Sequence, residues 1–169
     1  NEANNLAFLG NYDIAEEKLK NAIKINEKDG FYELGKLYYY LIKTNLAEET
    51  LEKAYKLGNF RSLSIIGTIK EDNENIEEAK KIYKLGAEKG DMESIFNLGA
   101  IYEEDNDIEN AILIYNKGMK LKDARAIYNL IQIYEKLGKK AEAKNLKNKI
   151  LFEKGLIHLE YDMIYYAKK

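Results

Sequence analysis

Residues 79–111 read AKKIYKLGAEKGDMESIFNLGAIYEEDNDIENA, and this stretch decides the fold. It opens and closes on alanines 32 residues apart, and both belong to a longer series: Ala15, Ala47, Ala79, Ala111 and Ala143. Four residues after each alanine stand Leu19, Leu51, Tyr83, Tyr115 and then Lys147. Seven after come Ala22, Ala54, Gly86, Gly118 and then Ile150. Steps of four and three put each trio on one face of an α-helix.

A second series keeps the same period. Gly35, Gly67 and Gly99 are each 32 apart, with Ile131 in the next slot. Leu34, Ile66, Leu98 and Leu130 precede them, and Tyr38, Lys70, Tyr102 and Tyr134 follow three residues on. A small residue stands five before each slot: Gly30, Ser62, Ser94 and Ala126. Each unit therefore holds two helices. Helix A carries the glycine and helix B the alanine, and the small residues let the backbones approach closely. Two independent series in register over four or five units are the mark of a repeat architecture.

The punctuation fits. Asn59, Asp91 and Asp123 precede helices A, and Asn75 and Asp107 precede helices B, all as expected N-caps. Gly58 and Gly90 close two helices B. The spacing predicts helices A over 28–41, 60–72, 92–104 and 124–137. It predicts helices B over 12–25, 45–57, 76–88, 108–121 and 140–153. Residues 1–9 read as the tail of a truncated helix A and 156–167 as a final capping helix. The expected organisation is one domain over 1–169. It holds a truncated unit (1–27), repeats at 28–59, 60–91, 92–123 and 124–155, and a cap at 156–169. Because residue 1 falls inside a repeat, further units upstream are expected.

Composition narrows the class. Pro and Cys are absent, and Ala, Leu, Ile, Glu and Lys dominate, so an all-α chain is expected. Without cysteine there are no disulfides or thiolate metal sites. Charge is 33% of residues but nets only -2, which argues against a nucleic-acid partner held by phosphate neutralisation and against a polybasic membrane surface. No apolar run is long enough for a membrane span. His158 is the sole histidine, so a histidine-based triad or a two-histidine metal site is excluded. Asp105-Asn106-Asp107 lacks calcium-loop spacing and reads as a connector. No catalytic residue, metal or cofactor is expected. The composition suits a cytoplasmic chain, and a periplasmic or secreted one if a leader has been removed.

The quoted stretch resembles the tetratricopeptide superfamily, and its Sel1-like branch in particular. Ala79, Tyr83, Ala87, Gly90, Asp91, Ser94, Asn97, Leu98, Gly99 and Tyr102 fill the Sel1-like slots. The next unit repeats Tyr115, Ala126, Asn129, Leu130 and Tyr134. The period of 32 is shorter than either family norm, and Asn59, Asp91 and Asp123 stand where tetratricopeptide units often carry proline. The resemblance implies an α-solenoid, a right-handed superhelix of antiparallel helix-turn-helix units, with helices A lining a concave groove.

Family positions then place Asp29, Tyr32, Lys36, Tyr39 and Tyr40 in the groove, followed by Arg61, Ser64, Thr68, Glu71 and Asp72. Glu93, Phe96, Ala100, Glu103 and Glu104 come next, then Arg125, Tyr128, Gln132, Glu135 and Lys136. Tyr32, Phe96 and Tyr128 share one slot and would form an aromatic track, with Ser64 the gap; the same spacing also suits core packing. Arg61 and Arg125 are the only arginines, two repeats apart in one slot, and arginine grips carboxylates in bidentate fashion. The expected partner is another protein or peptide, bound by Tyr32, Lys36, Tyr39, Arg61, Phe96, Arg125 and Tyr128. The alternative is an assembly element that self-associates or links domains.

Overall fold

The structure is a computed structural model that describes residues 10–152, with side chains to residue 148. The expected helical tail at 1–9 and the capping helix at 156–167, with His158, Tyr165 and Tyr166, lie outside the described residues. Among those described, the regular structure is entirely helical. The helices are α1 (Tyr12–Ile23), α2 (Glu27–Tyr40), α3 (Thr44–Lys56), α4 (Ser62–Asp72) and α5 (Ile76–Glu88). They continue with α6 (Met92–Glu104), α7 (Ile108–Lys120), α8 (Ala124–Lys136) and α9 (Lys140–Phe152). The expected helices are all present, with ends that differ by one or two residues. The even-numbered helices are the A type and the odd-numbered the B type.

The chain divides into two compact units, Asn1–Ser94 and Ile95–Lys169. In the first, consecutive helices pack on one another, and α2 also touches α4, the next A helix. Its core is built from the repeat positions: Ala15, Leu19, Leu34, Ala47, Leu51, Ala54 and Ile66. In the second, α7, α8 and α9 pack in sequence order. Ala111, Tyr115, Ala126, Leu130 and Ile133 form one cluster there, and Ile127, Ile131 and Ala143 another. Tyr83 and Tyr115 are wholly buried, whereas Tyr102 and Tyr134, expected in the same framework, are half-buried.

Each hairpin closes on a single knob. A Cβ added at Gly67 would lie 2.3 Å from Cε1 of Tyr83, and one at Gly99 would lie 2.3 Å from Cε1 of Tyr115. At Gly35 the facing group is Leu51, 2.6 Å away. The buried phenols are anchored: Tyr83 donates to Glu71 at 2.8 Å, and Tyr115 to Glu103 at 2.9 Å. In the last pair the sizes are exchanged. Ile131 fills the glycine slot and is buried, while Lys147 replaces tyrosine and sends its Nζ to Glu135 at 2.7 Å. The same A-helix glutamate position thus receives a phenol twice and an ammonium once.

Caps follow the sequence with one exception. Asp91 accepts from the Ser94 amide at 2.9 Å, and Asp123 from the amides of Arg125 and Ala126. Asn75 and Asp107 cap α5 and α7. Asn59 does not cap α4, which starts late at Ser62 with no side-chain cap. Its Nδ2 instead donates to Asp29 at 3.0 Å, across to helix α2, and its Oδ1 accepts from no amide of α4.

The turns carry a signature of their own. Gly10, Ile42, Glu74, Asn106 and Gly138, again 32 apart, all have positive φ, as do Gly58, Gly90 and Lys122 in the other turn. Ile42 adopts φ 58 although β-branched, a conformation that costs such a residue roughly 1–2 kcal/mol. Its side chain is 86% exposed, so little packing offsets that strain. Ile42→Gly is expected to raise stability by about 0.5–1 kcal/mol after the entropic cost of glycine, read as a higher urea midpoint at unchanged m.

Candidate functional site on the A-helix faces

In the first unit, α2 and the turn entering α4 bring Tyr32, Lys36 and Arg61 together. Tyr32 belongs to the core cluster of the first unit and is only 7% exposed; the Arg61 guanidinium lies over its ring, 4.6 Å from the centroid, with the Lys36 ammonium at 5.6 Å. Such a cation held against an aromatic face is attracted by the ring quadrupole. Burial pushes the Tyr32 phenol up, against the downward pull of Arg61. Arg61 itself is exposed, and its guanidinium makes no salt bridge among the described residues.

Tyr39, at the other end of α2, donates to Asp72 at 2.9 Å, tying α2 to the end of α4. Burial, helped by that bond, pushes its phenol up to about 12. A phenol raised in the folded state stabilises fully below its ordinary value near 10, and that contribution is lost as pH climbs toward 12. An absorbance titration at 295 nm should therefore show late-ionising tyrosines, with one of them lost in Tyr39→Phe while the raised Tyr32, Tyr38 and Tyr115 remain. Tyr40 beside it is open to solvent.

In the second unit the equivalent pair is Phe96 and Arg125, with the guanidinium 4.9 Å from the ring centroid. Here the arginine is engaged. Its Nη2 lies 3.0 Å from Oδ2 of Asp123, and its Nε 3.4 Å from Oδ1. Tyr128, one turn further along α8, is half-buried. The two arginines share a repeat slot and an aromatic neighbour but differ in the residue two positions earlier, Asn59 in one case and Asp123 in the other.

A feature absent from the sequence reading lies at the start of α2 and along two turns of the first unit. A cavity of about 260 Å³ is lined by Lys28, Asp29, Gly58, Asn59, Phe60, Arg61, Lys89, Gly90 and Asp91. Lys28 and Phe60 share a repeat slot, and that was the available signal. Among the described residues no group of three or more His, Cys, Asp or Glu could hold a metal ion. No described helix is long and apolar enough to cross a membrane.

Antiparallel helical hairpins repeated every 32 residues, with glycine or alanine at each close crossing, define an all-α repeat protein of the solenoid class. The tetratricopeptide repeat family matches residues 93–125, and the chain has the tetratricopeptide-like fold. No curated protein matches it in sequence. Among solved structures, MamA is similar at 21% identity with a TM-score of 0.62, covering 100% of this chain and 98% of that one. YrrB, a tetratricopeptide protein with an unusual peptide-binding site, is similar at 20% identity and a TM-score of 0.55, over 98% of this chain and 88% of that one. The C-terminal part of a repeat protein from Cytophaga hutchinsonii matches at 21% identity and 0.62, over 95% and 66%. At these identities the likeness is one of fold.

Proposed function

We propose that this chain is a non-enzymatic interaction scaffold whose A-helix faces hold a peptide or extended segment of a partner protein. The observation that carries the reading is Arg61, which rests on the Tyr32 ring with its guanidinium in no salt bridge among the described residues. A planar donor fork presented on an aromatic platform is suited to a partner carboxylate. Tyr32, Lys36 and Tyr39 support it from α2. Phe96, Arg125 and Tyr128 form a second, more apolar contact, in which Arg125 positions the Phe96 ring and is held by Asp123. YrrB shows that the same fold in another protein carries a peptide-binding site. The single-domain organisation in repeats from 28 to 155, and the Sel1-like kinship of the units, belong to this reading and rest on the repeat residues.

The test is a quantitative pulldown with the whole chain. Arg61→Ala is expected to weaken partner capture about tenfold, the scale of one lost charge-assisted pair. Phe96→Ala/Tyr128→Ala should weaken it independently. Full capture by both variants would place the partner on another surface.

A further inference from the structure

We propose that the turn cavity of the first unit binds the phosphoryl group of a phosphorylated side chain on a peptide. The proposal rests on the scaffold reading above and names a subsite at the edge of the face that carries Arg61.

The cavity's two carboxylates are already satisfied. Asp29 accepts from Asn59 at 3.0 Å and from Asn26 at 2.8 Å. Asp91 accepts from the Ser94 amide at 2.9 Å and from its hydroxyl at 2.5 Å. The three cations are not. Lys28 and Arg61 make no salt bridge among the described residues, and Lys89 has only the Phe60 ring, 5.2 Å from its Nζ. Lys28 stands at the start of α2, Arg61 in the turn before α4 and Lys89 in the turn before α6, so they come from three places rather than from one helix.

The backbone adds donors. Helix α4 lacks a side-chain cap, and its first turn closes through Ser62 and Leu63, whose amides reach back to the carbonyls of Asn59 and Phe60. The amides of Phe60 and Arg61, both on the cavity wall, have no acceptor within the described residues. Free amides at a helix start favour an anion. The independent sign of a ligand is Asn59. It is 5% exposed, lines the cavity, and its Oδ1 has no partner. A buried acceptor left unpaired costs roughly 1–3 kcal/mol.

The matching ligand therefore brings several acceptor oxygens and one donor. A phosphoryl group supplies three oxygens for the three cations and two amides. The N–H of the peptide that bears it supplies the donor for Asn59 Oδ1. A bare carboxylate offers fewer oxygens, and a free phosphate ion lacks the amide.

The experiment titrates ¹⁵N-labelled whole chain with acetyl-Ala-Ala-X-Ala-Ala-amide, where X is phosphoserine, glutamate or serine, and separately with inorganic phosphate. The phosphoserine peptide is expected to shift the amides of residues 58–61 and 89–91 saturably, about tenfold more tightly than glutamate or phosphate. The exposed-residue variant Lys28→Ala/Arg61→Ala/Lys89→Ala should abolish the shifts while the far-ultraviolet circular dichroism stays unchanged. Equal affinity for the glutamate peptide would overturn the phosphoryl assignment, and equal affinity for inorganic phosphate would overturn the peptide source. Absence of local shifts, or their persistence in the triple variant, would overturn the site. Because these titrations contain no partner protein and read only the turns, their failure leaves the Phe96 and Tyr128 arm of the pulldown to judge the scaffold reading separately.

Discussion

Gly99→Ala is expected to destabilise the chain by about 2 kcal/mol, although alanine is the better helix former. Helix propensity alone favours the substitution by roughly 1 kcal/mol. Against it stands the Tyr115 ring, with Cε1 2.3 Å and Cζ 2.4 Å from the new methyl. The ring is rigid and wholly buried, and Glu103 holds its hydroxyl. It cannot step aside without breaking that bond or pushing α7 from α6, and forced overpacking costs about 1–3 kcal/mol or more. The strain wins. Gly67→Ala should behave alike against Tyr83. Gly35→Ala should lose less, because Leu51 has rotamers through which its branched end can retreat. Thermal melts check the ranking: Gly99→Ala and Gly67→Ala fall by several degrees and Gly35→Ala by less. Replacing Tyr115 by Leu in the Gly99→Ala background should recover part of the loss, since the clashing ring atoms are gone. If all three glycines tolerate alanine equally, these knobs do not set the hairpin spacing.

The same crossings explain why so much of the fold is legible in the sequence. A helix pair that approaches this closely admits a glycine opposite a large side chain, or the reverse, and little else. Each crossing therefore writes its partner 16 residues away: Gly35 with Leu51, Gly67 with Tyr83, Gly99 with Tyr115. Even the exception is readable, because Ile131 enlarges one side where Lys147 vacates the other. Helix ends were legible wherever the cap is local. They failed at Asn59, whose partner Asp29 lies 30 residues away, beyond the reach of a capping rule.

The site was legible only in part, for the same reason. Repeat positions put Tyr32 and Phe96 in one slot and Arg61 and Arg125 in another; the pairing of Tyr32 with Arg61 and of Phe96 with Arg125 is seen only in the structure. They treated the arginines as equals. The difference arises two residues upstream, where Asp123 is charged and local while Asn59 is neutral and turned toward α2. The turn cavity was not legible because its cations, Lys28 at the start of α2 and Arg61 and Lys89 in two turns, occupy three different slots.

Asp123→Ala is expected to cost about 3 kcal/mol, more than either of its roles alone would suggest. The side chain is 7% exposed and serves two partners. It caps α8 through the amides of Arg125 and Ala126, and removing such a cap costs roughly 0.5–2 kcal/mol. It also holds the Arg125 guanidinium, whose side chain is only 19% exposed. Deleting the acid takes one carboxylate from a half-buried charge, a loss well below the roughly 3–5 kcal/mol of breaking a fully buried pair. Arg125→Ala should cost about 1 kcal/mol, since the cap survives it. In the double variant both members of the pair are gone, so the sum of the single losses should exceed the measured one by about 1 kcal/mol. Asp123→Asn separates the two roles: the amide oxygen still caps, but the ion pair is lost. Denaturant melts of the four variants read the cycle directly. Strict additivity would mean that Asp123 acts only as a cap and does not hold Arg125 over Phe96.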